Sequence, residues 1–270
     1  MTAVERLVGT LNDSEIEEMR EVTSESLGPR GPEMLFDLIA KLEVPSGALV
    51  MDLGGEDALD AVQLALRFDC RVLMINALGG GLDHAADRIR EHGLRDRIMT
   101  DLGQAEALPV GSEDVDFIWC RDLFNRVDLA RSMTECFRVL RPGGGMLVYQ
   151  SFATELLEPI EARRMYDAMG LIGESMSTES FERAVRQAKL KIVGIDPIQS
   201  EWRELWLEGG DQDLIEDMLR VARMRRTREQ LITRYGKGRY EAIYNSSLWG
   251  IYQMLGKLAP TAYLLTKPYV

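Results

Sequence analysis

From Ala48 onward the chain alternates short apolar runs with stretches whose apolar residues recur at helical spacing. ALVMDLG (residues 48–54) precedes the helical stretch DALDAVQLALRF, which is followed by CRVLMIN (70–76) and by a further helical stretch over residues 82–93. That alternation is the rhythm of βαβ units and predicts a parallel sheet. Further strands are predicted at RDRIMTD, at VDFIWC and, after the helix RSMTECFRVL, at GMLVYQSF. Arg141-Pro142-Gly143-Gly144-Gly145 carries the glycine and proline chemistry expected where this last helix stops.

The flanks have a different texture. Residues 11–26 read as a helix that Asn12, Asp13 or Ser14 can cap, with acids in the first turn where the helix dipole favours them. Gly28-Pro29-Arg30-Gly31-Pro32 interrupts it, and residues 33–43 then place Met34, Leu35, Leu38, Ile39 and Leu42 on one face. This predicts an N-terminal helical cap over residues 1–45, ahead of a core over 46–198 that adds helices at 154–169 and 178–188 and a strand at KLKIVGIDPI. Residues 199–256 show only helical periodicity and read as an insertion before a final strand, AYLLTK, within 257–270. In the insertion, Asp211 is expected to cap a helix whose Leu214, Ile215, Met218, Leu219 and Ala222 share a face and which ends near Gly236. Tyr240, Tyr244, Leu248, Ile251 and Leu255 form a second stripe, ended by Gly256.

With 270 residues, 46% of them hydrophobic, the chain can bury one substantial core plus an elaboration. Lys and Arg number 32 against 44 Asp and Glu, a formal charge of −12 that repels a phosphate backbone and argues against a nucleic-acid partner. Cys70, Cys120 and Cys136 show no CxxC spacing and leave an odd count, which fits a reducing compartment. His84 and His92 lie among charged residues with no third ligand nearby, so no metal site is expected. The first thirty residues carry acids and no long apolar run, so neither a signal peptide nor a membrane span is expected, and the protein reads as cytoplasmic.

Candidate chemistry begins at Val50-Met51-Asp52-Leu53-Gly54-Gly55, where a predicted strand ends in a glycine turn that opens into a helix. Downstream come a second strand ending at Asn76, the segment Gly103-Gln104-Ala105-Glu106-Ala107-Leu108-Pro109-Val110, and a helix ending Arg138-Val139-Leu140-Arg141-Pro142-Gly143-Gly144. In this order the segments resemble the class I S-adenosylmethionine-dependent methyltransferases, in the broad group that includes the ubiquinone and menaquinone C-methyltransferases. Members carry DLGCGxG, an acid ending strand two, a GDAExLPF segment and ExxRVLkPGG. The resemblance spans roughly residues 48–150. It implies a Rossmann-like α/β fold whose mostly parallel seven-stranded sheet has an antiparallel last strand, with the methyl donor lying across the carboxyl ends of the strands. The implied donor-binding residues are Asp52, Gly54, Gly55 and Glu56 in the first turn, Asn76 and Ala77 after strand two, Gln104 and Ala105, and Cys120 and Arg121 after strand four. No catalytic residue is assigned.

Three of these positions depart from the family pattern. Glu56 stands where the middle glycine of DxGxGxG belongs, placing bulk and a negative charge where the donor's amino-acid end approaches the backbone. Asn76 replaces the acid that accepts from both ribose hydroxyls, and Gln104 replaces the Asp that meets the adenine amino group. Exchanging a charged acceptor for a neutral one costs roughly 1–2 kcal/mol, and a misplaced side chain at a close backbone contact about as much again. Together these predict donor affinity about 10²- to 10³-fold below that of a typical member. Arg126 stands where relatives often carry His, so no histidine base is expected.

Other residues admit two readings. Asp122 or Arg121 can serve a substrate, or form a surface salt bridge. Arg220, Arg223, Arg225, Arg226 and Arg228 read as a solvated face paired with acids. Tyr240, Tyr244, Trp249 and Tyr252, with Trp202 and Trp206, can line an apolar substrate pocket, pack a core or form a dimer surface. Three functions follow in order. The first is methyl transfer from S-adenosylmethionine to a small molecule. The second is a scaffold that has lost normal donor binding, acting as a noncatalytic partner or running another reaction in the same cavity. A nicotinamide-dependent oxidoreductase comes last, because GxGxxG is absent. The helical insertion is the expected surface for a homodimer or heteromer.

Overall fold

The computed structural model describes residues 12–42, 44–76 and 82–269. Seven strands form one sheet: β1 (Leu49–Leu53), β2 (Arg71–Asn76), β3 (Ile98–Leu102), β4 (Val115–Arg121), β5 (Leu140–Ala153), β6 (Lys191–Pro197) and β7 (Leu258–Thr266). Their order is β3-β2-β1-β4-β5-β7-β6. Pairing is parallel from β3 through β5, and β7 runs antiparallel to both β5 and β6, as expected of the last strand. The order turns back between β1 and β4, and at such a switch point the loops leave in opposite directions and open a crevice at the carboxyl ends of the strands.

The described residues form eleven α-helices. Seven precede β6 in the chain: α1 (Asp13–Ser24), α2 (Met34–Ala40), α3 (Leu59–Phe68), α4 (Leu82–Glu91), α5 (Leu129–Val139), α6 (Pro159–Met169) and α7 (Thr178–Gln187). Four more, α8 (Glu201–Glu208), α9 (Asp213–Arg226), α10 (Arg228–Tyr235) and α11 (Lys237–Met254), lie between β6 and β7. Alternate strand residues face opposite layers. Val50, Phe117, Trp119 and Leu147 pack on one side against α2 and α3, while Met51, Ile118, Cys120 and Val148 pack on the other against α5 and α7. Both faces are covered, which is why the strands read as continuous apolar runs.

At the front end Asn12 caps α1, its side chain accepting from the backbone of Ser14 and Glu15 while Glu15 accepts from Asn12 N–H at 2.8 Å. No residue of α1 is buried, whereas α2 buries Met34, Leu35, Phe36, Leu38 and Ile39. The intervening loop is tied down by Arg30, whose guanidinium bonds both Asp196 and Glu201 at 2.8–2.9 Å.

Four local expectations need correction. The strand predicted at GMLVYQSF starts earlier: α5 stops at Val139, as the Arg-Pro-Gly-Gly run predicts, but β5 begins at Leu140 and passes through the run with a register shift opposite Val115 and Phe117. Gly143, at φ +79°, is held there by its N–H donating to Lys267 O. The last strand starts at Leu258, ahead of Ala262, because it pairs with β5 as far as Ala153. Asp211 accepts from Asp213 N–H at 2.8 Å, but the N-cap is Gln212, and the helix breaks at Thr227 before α10 continues to Gly236. On α9 only part of the expected apolar face is covered: Leu214 is buried while Ile215, Met218 and Leu219 are exposed.

The arginine-rich stretch is not paired with acids as expected. Arg220 pairs with Asp217, but among the described residues none of Arg223, Arg225, Arg226 or Arg228 has a carboxylate within ion-pair distance. Tyr240 and Tyr244 are buried and stacked, with ring centroids 5.7 Å apart, and Trp202 is buried against Tyr149. Among the described residues no helix is long and apolar enough to cross a membrane.

Candidate functional site

The end of β1 sets the geometry. Gly54, at φ +93°, turns the chain out of the strand while its N–H donates to Ile75 O at 3.0 Å, tying the turn to β2. At Gly55 a side chain is excluded: a Cβ there would overlap Oδ2 of Asp52 and lie 2.8 Å from its Cγ. Asp52 is buried, and its Oδ2 has no hydrogen-bond partner among the described residues. Burial, reinforced by the neighbouring Asp60 and opposed by Arg121, pushes the Asp52 carboxyl up to about 8.

Two cavities meet at Gly54. One, of about 420 Å³, is lined by Asp52, Gly54, Gly55, Glu56, Asp57, Asp60, Arg121 and Asp122. The other, of about 250 Å³, is lined by Leu53, Gly54, Ile75, Gly103, Gln104, Ala105, Glu106, Leu123 and Val127. Among the described residues the crevice is therefore open along the carboxyl edge. Glu56 sits exposed at its rim and does not fill it.

The remaining predicted residues divide by position. Asn76 is buried at the end of β2, its side-chain nitrogen 3.5 Å from Gly55 O, which ties it to the glycine turn. Gln104 and Ala105 line the smaller cavity, Gln104 exposed and Ala105 buried. Cys120 is fully buried in the core cluster beneath the sheet and lines neither cavity. Ala77 lies outside the described residues.

Arg121 forms the salt bridge expected as one of its two readings, half-buried at the cavity wall. Its Nη1 donates to both carboxylate oxygens of Asp60 at 3.0 Å, and Asp60 also accepts from Trp119 Nε1 at 2.9 Å. The guanidinium lies 5.6 Å from the Tyr149 ring and 5.8 Å from that of Trp202, two rings stacked 4.6 Å apart. Asp60 and Arg121 together make a fixed wall on the side of the larger cavity away from β2.

Asp122 stands at the mouth of β4 in the left-handed region, φ +48°, an unusual conformation for a residue with a side chain. Its N–H donates to Tyr149 O at 2.8 Å and its Oδ1 accepts from Ser151 N–H at 3.2 Å. Burial pushes its carboxyl up to about 6, opposed first by the Ser151 N–H and then by Arg121. From Ser151 a buried polar chain reaches the helices between β6 and β7: Gln253 Nε2 donates to Ser151 Oγ at 3.0 Å, and Arg203 Nε donates to Gln253 Oε1 at 2.8 Å. Arg126, at the position where relatives often carry His, donates to Met169 O at 2.8 Å.

Sequence reasoning passed over Asp60, Leu123 and Val127, which line the cavities with the motif residues. The one signal for Asp60 is its place in the first turn of the helix that follows the glycine turn.

Comparison with known proteins bears on the fold and on residues 50–144. The family model described as methyltransferase domain matches residues 50–144. The methyltransferase GfsG of Streptomyces halstedii is 28% identical over 181 residues, and the match covers 66% of this chain and 65% of that protein. A putative sarcosine dimethylglycine methyltransferase from Galdieria sulphuraria superposes with a TM-score of 0.67 at 19% identity, covering 87% of this chain and 84% of that one. Geranyl diphosphate methyltransferase in complex with SAM superposes with a TM-score of 0.64 at 15% identity, covering 87% and 84%. The chain thus spans slightly less than two thirds of the length of the curated relative, and the solved structures share its fold. Motif order, strand order and family match converge: residues 50–144 match the methyltransferase-domain model, and the whole sheet has the fold of the methyltransferase structures it superposes on.

Proposed function

We propose that the chain transfers a methyl group from S-adenosylmethionine to a small-molecule acceptor. The observation that carries this reading is the open crevice on either side of Gly54, one half lined by acids and the other largely by apolar side chains. The donor has matching halves. Its ammonium and sulfonium groups suit the side bearing Asp52, Asp57 and Asp60, and its nucleobase suits the slot between Ile75, Ala105, Leu123 and Val127. The buried Oδ2 of Asp52, without a partner among the described residues, stands beside the turn, and a cationic group bound there would favour the ionised form of a carboxyl that burial otherwise keeps protonated. Gln104, on the lining of the apolar slot, is the proposed acceptor for an exocyclic amino group, and Asn76, at the end of β2 beside the glycine turn, the proposed ribose contact. Glu56 at the rim, with Asn76 and Gln104, supports a donor affinity below that of typical members.

When bound, S-adenosylmethionine supplies an electrophilic methyl on an already activated sulfonium. The protein is left to orient the two reactants and to manage the acceptor's proton. Asp122 is the proposed base. Its carboxyl borders the larger cavity and titrates near neutrality because it is buried, so it can take a proton from an acceptor hydroxyl or amine as the methyl is transferred. Arg121, clamped by Asp60, forms the adjoining wall. The helical segment 199–256, joined to the sheet edge through Gln253 and Ser151, is the proposed cover over the acceptor, and its remaining outer face the proposed contact for a partner subunit. Residues 1–45 are the proposed cap and 46–198, with 257–270, the proposed core. The motif segments of the ubiquinone and menaquinone C-methyltransferases support a place near that group.

Titration calorimetry with S-adenosylmethionine and S-adenosylhomocysteine tests the reading. One-to-one binding that Asp52→Ala abolishes is expected. Absence of heat at high micromolar ligand would remove it. Binding without methyl transfer to any small acceptor would favour a scaffold that works as a noncatalytic partner.

A further inference from the structure

A cavity of about 630 Å³ lies away from the glycine turn, between α6 and the ends of α10 and α11. Four cations line it, Arg163 and Arg164 from α6, Arg228 from α10 and Lys237 from α11, together with two carboxylates, Asp167 and Glu241. Glu241 is already committed: it accepts from Arg164 Nε at 2.6 Å, and the Arg164 guanidinium lies 4.5 Å from the Tyr244 ring. Arg163, Arg228 and Lys237 have no carboxylate within ion-pair distance among the described residues, and only Asp167 remains to oppose them. Arg228 is held over Tyr240 at 5.8 Å.

The surroundings deepen the imbalance. Residues 218–239 hold eight Lys and Arg against one Glu, within a chain whose net charge is −12. Three cations from three different helices, none of them ion-paired among the described residues, therefore face one concavity beside a basic stretch of an acidic protein. Like charges facing one cavity repel, and a bound anion offsets the repulsion. A monovalent anion would leave most of it in place, whereas phosphate oxygens match the planar donors of two arginines and still reach the lysine.

We propose that this cavity is a second ligand site, separate from the donor crevice, for a compact phosphate-bearing anion. A soluble phosphate ester and a lipid headgroup share that chemistry. The concave shape favours the soluble source, because a membrane surface calls for a flat or protruding basic face.

Inorganic pyrophosphate is the probe, titrated calorimetrically into the full chain at low ionic strength. Saturable one-to-one binding is expected, weakened about tenfold or more in Arg228→Ala/Lys237→Ala and about threefold or more in Arg163→Ala. Asp167→Asn should strengthen it about threefold, an effect of opposite sign that loss of folding would not mimic. The control Arg225→Ala/Arg226→Ala removes two cations from the same basic region but outside the cavity, and should leave affinity within about twofold. No saturable binding at millimolar pyrophosphate would overturn the proposal, as would equal losses in the control variant. Binding to phosphatidylglycerol vesicles without binding to pyrophosphate would overturn it too, in favour of the membrane source.

Discussion

Oδ2 of Asp52 occupies the space that a side chain at Gly55 would need. Gly55 is thus glycine for a steric reason inside the protein, whatever ligand approaches from outside. Gly55→Ala must displace a buried carboxylate or distort the turn, and overpacking of this kind costs about 1–3 kcal/mol. Urea denaturation should report that loss. In Asp52→Ala the obstruction is gone, so adding Gly55→Ala should cost much less there, and equal costs in the two backgrounds would refute the account.

The same carboxyl gives stability a pH dependence. An aspartate in an unfolded chain titrates near 3.9, whereas burial and the nearby Asp60 push Asp52 up to about 8 in the fold. The folded state therefore binds the proton more tightly. Its stabilising contribution is complete below about pH 4 and is lost as pH rises through about 8. Asp52→Asn keeps the shape and removes this titration, so the variant should gain stability relative to wild type between pH 5 and pH 8.5. If the difference between variant and wild type is flat over that interval, Asp52 is not the titrating group.

Much of the sheet was legible because its central strands are buried on both faces, which turns hydrophobicity itself into the signal. The glycine turn was legible for another reason: Asp52, Gly54 and Gly55 are local to one strand end, and their chemistry depends on spacing. Asp60 and Asp122 were harder to assign because their character is tertiary. Asp60 is a site residue through Trp119 and Arg121, 59 and 61 positions away, and Asp122 is shielded by the β5 backbone at Ser151, 29 positions away. The insertion misled for the opposite reason. The stripe on α9 predicts a buried face, yet neighbouring helices cover only part of it, and periodicity cannot say which side a partner will take.

The three departures from the family pattern make a graded prediction about donor affinity. Asn76→Asp restores a charged acceptor at the end of β2 and should tighten S-adenosylhomocysteine binding about tenfold, the equivalent of roughly 1.4 kcal/mol. Glu56→Gly removes only a rim side chain that leaves the crevice open, so its gain should be smaller, about threefold at most, and should shrink at high salt if charge is the cause. Calorimetry on both variants and their combination decides the matter. A larger gain from Glu56→Gly than from Asn76→Asp would mean that Glu56 turns into the crevice when ligand is present.

Asp122 as base carries a pH signature. Its buried carboxyl titrates at about 6 and works only when deprotonated, so methyl transfer should rise with pH through about 6 and then level off. Asp122→Asn preserves the acceptor for Ser151 N–H but cannot take a proton, and it should lower kcat by about 10²- to 10⁴-fold and flatten the rise. Donor affinity measured by calorimetry should stay within about threefold of wild type, because the lost group faces the acceptor's proton. A parallel fall in donor affinity and kcat, with the pH profile unchanged, would instead make Asp122 a support for the β4 turn, where its φ of +48° already sets it apart.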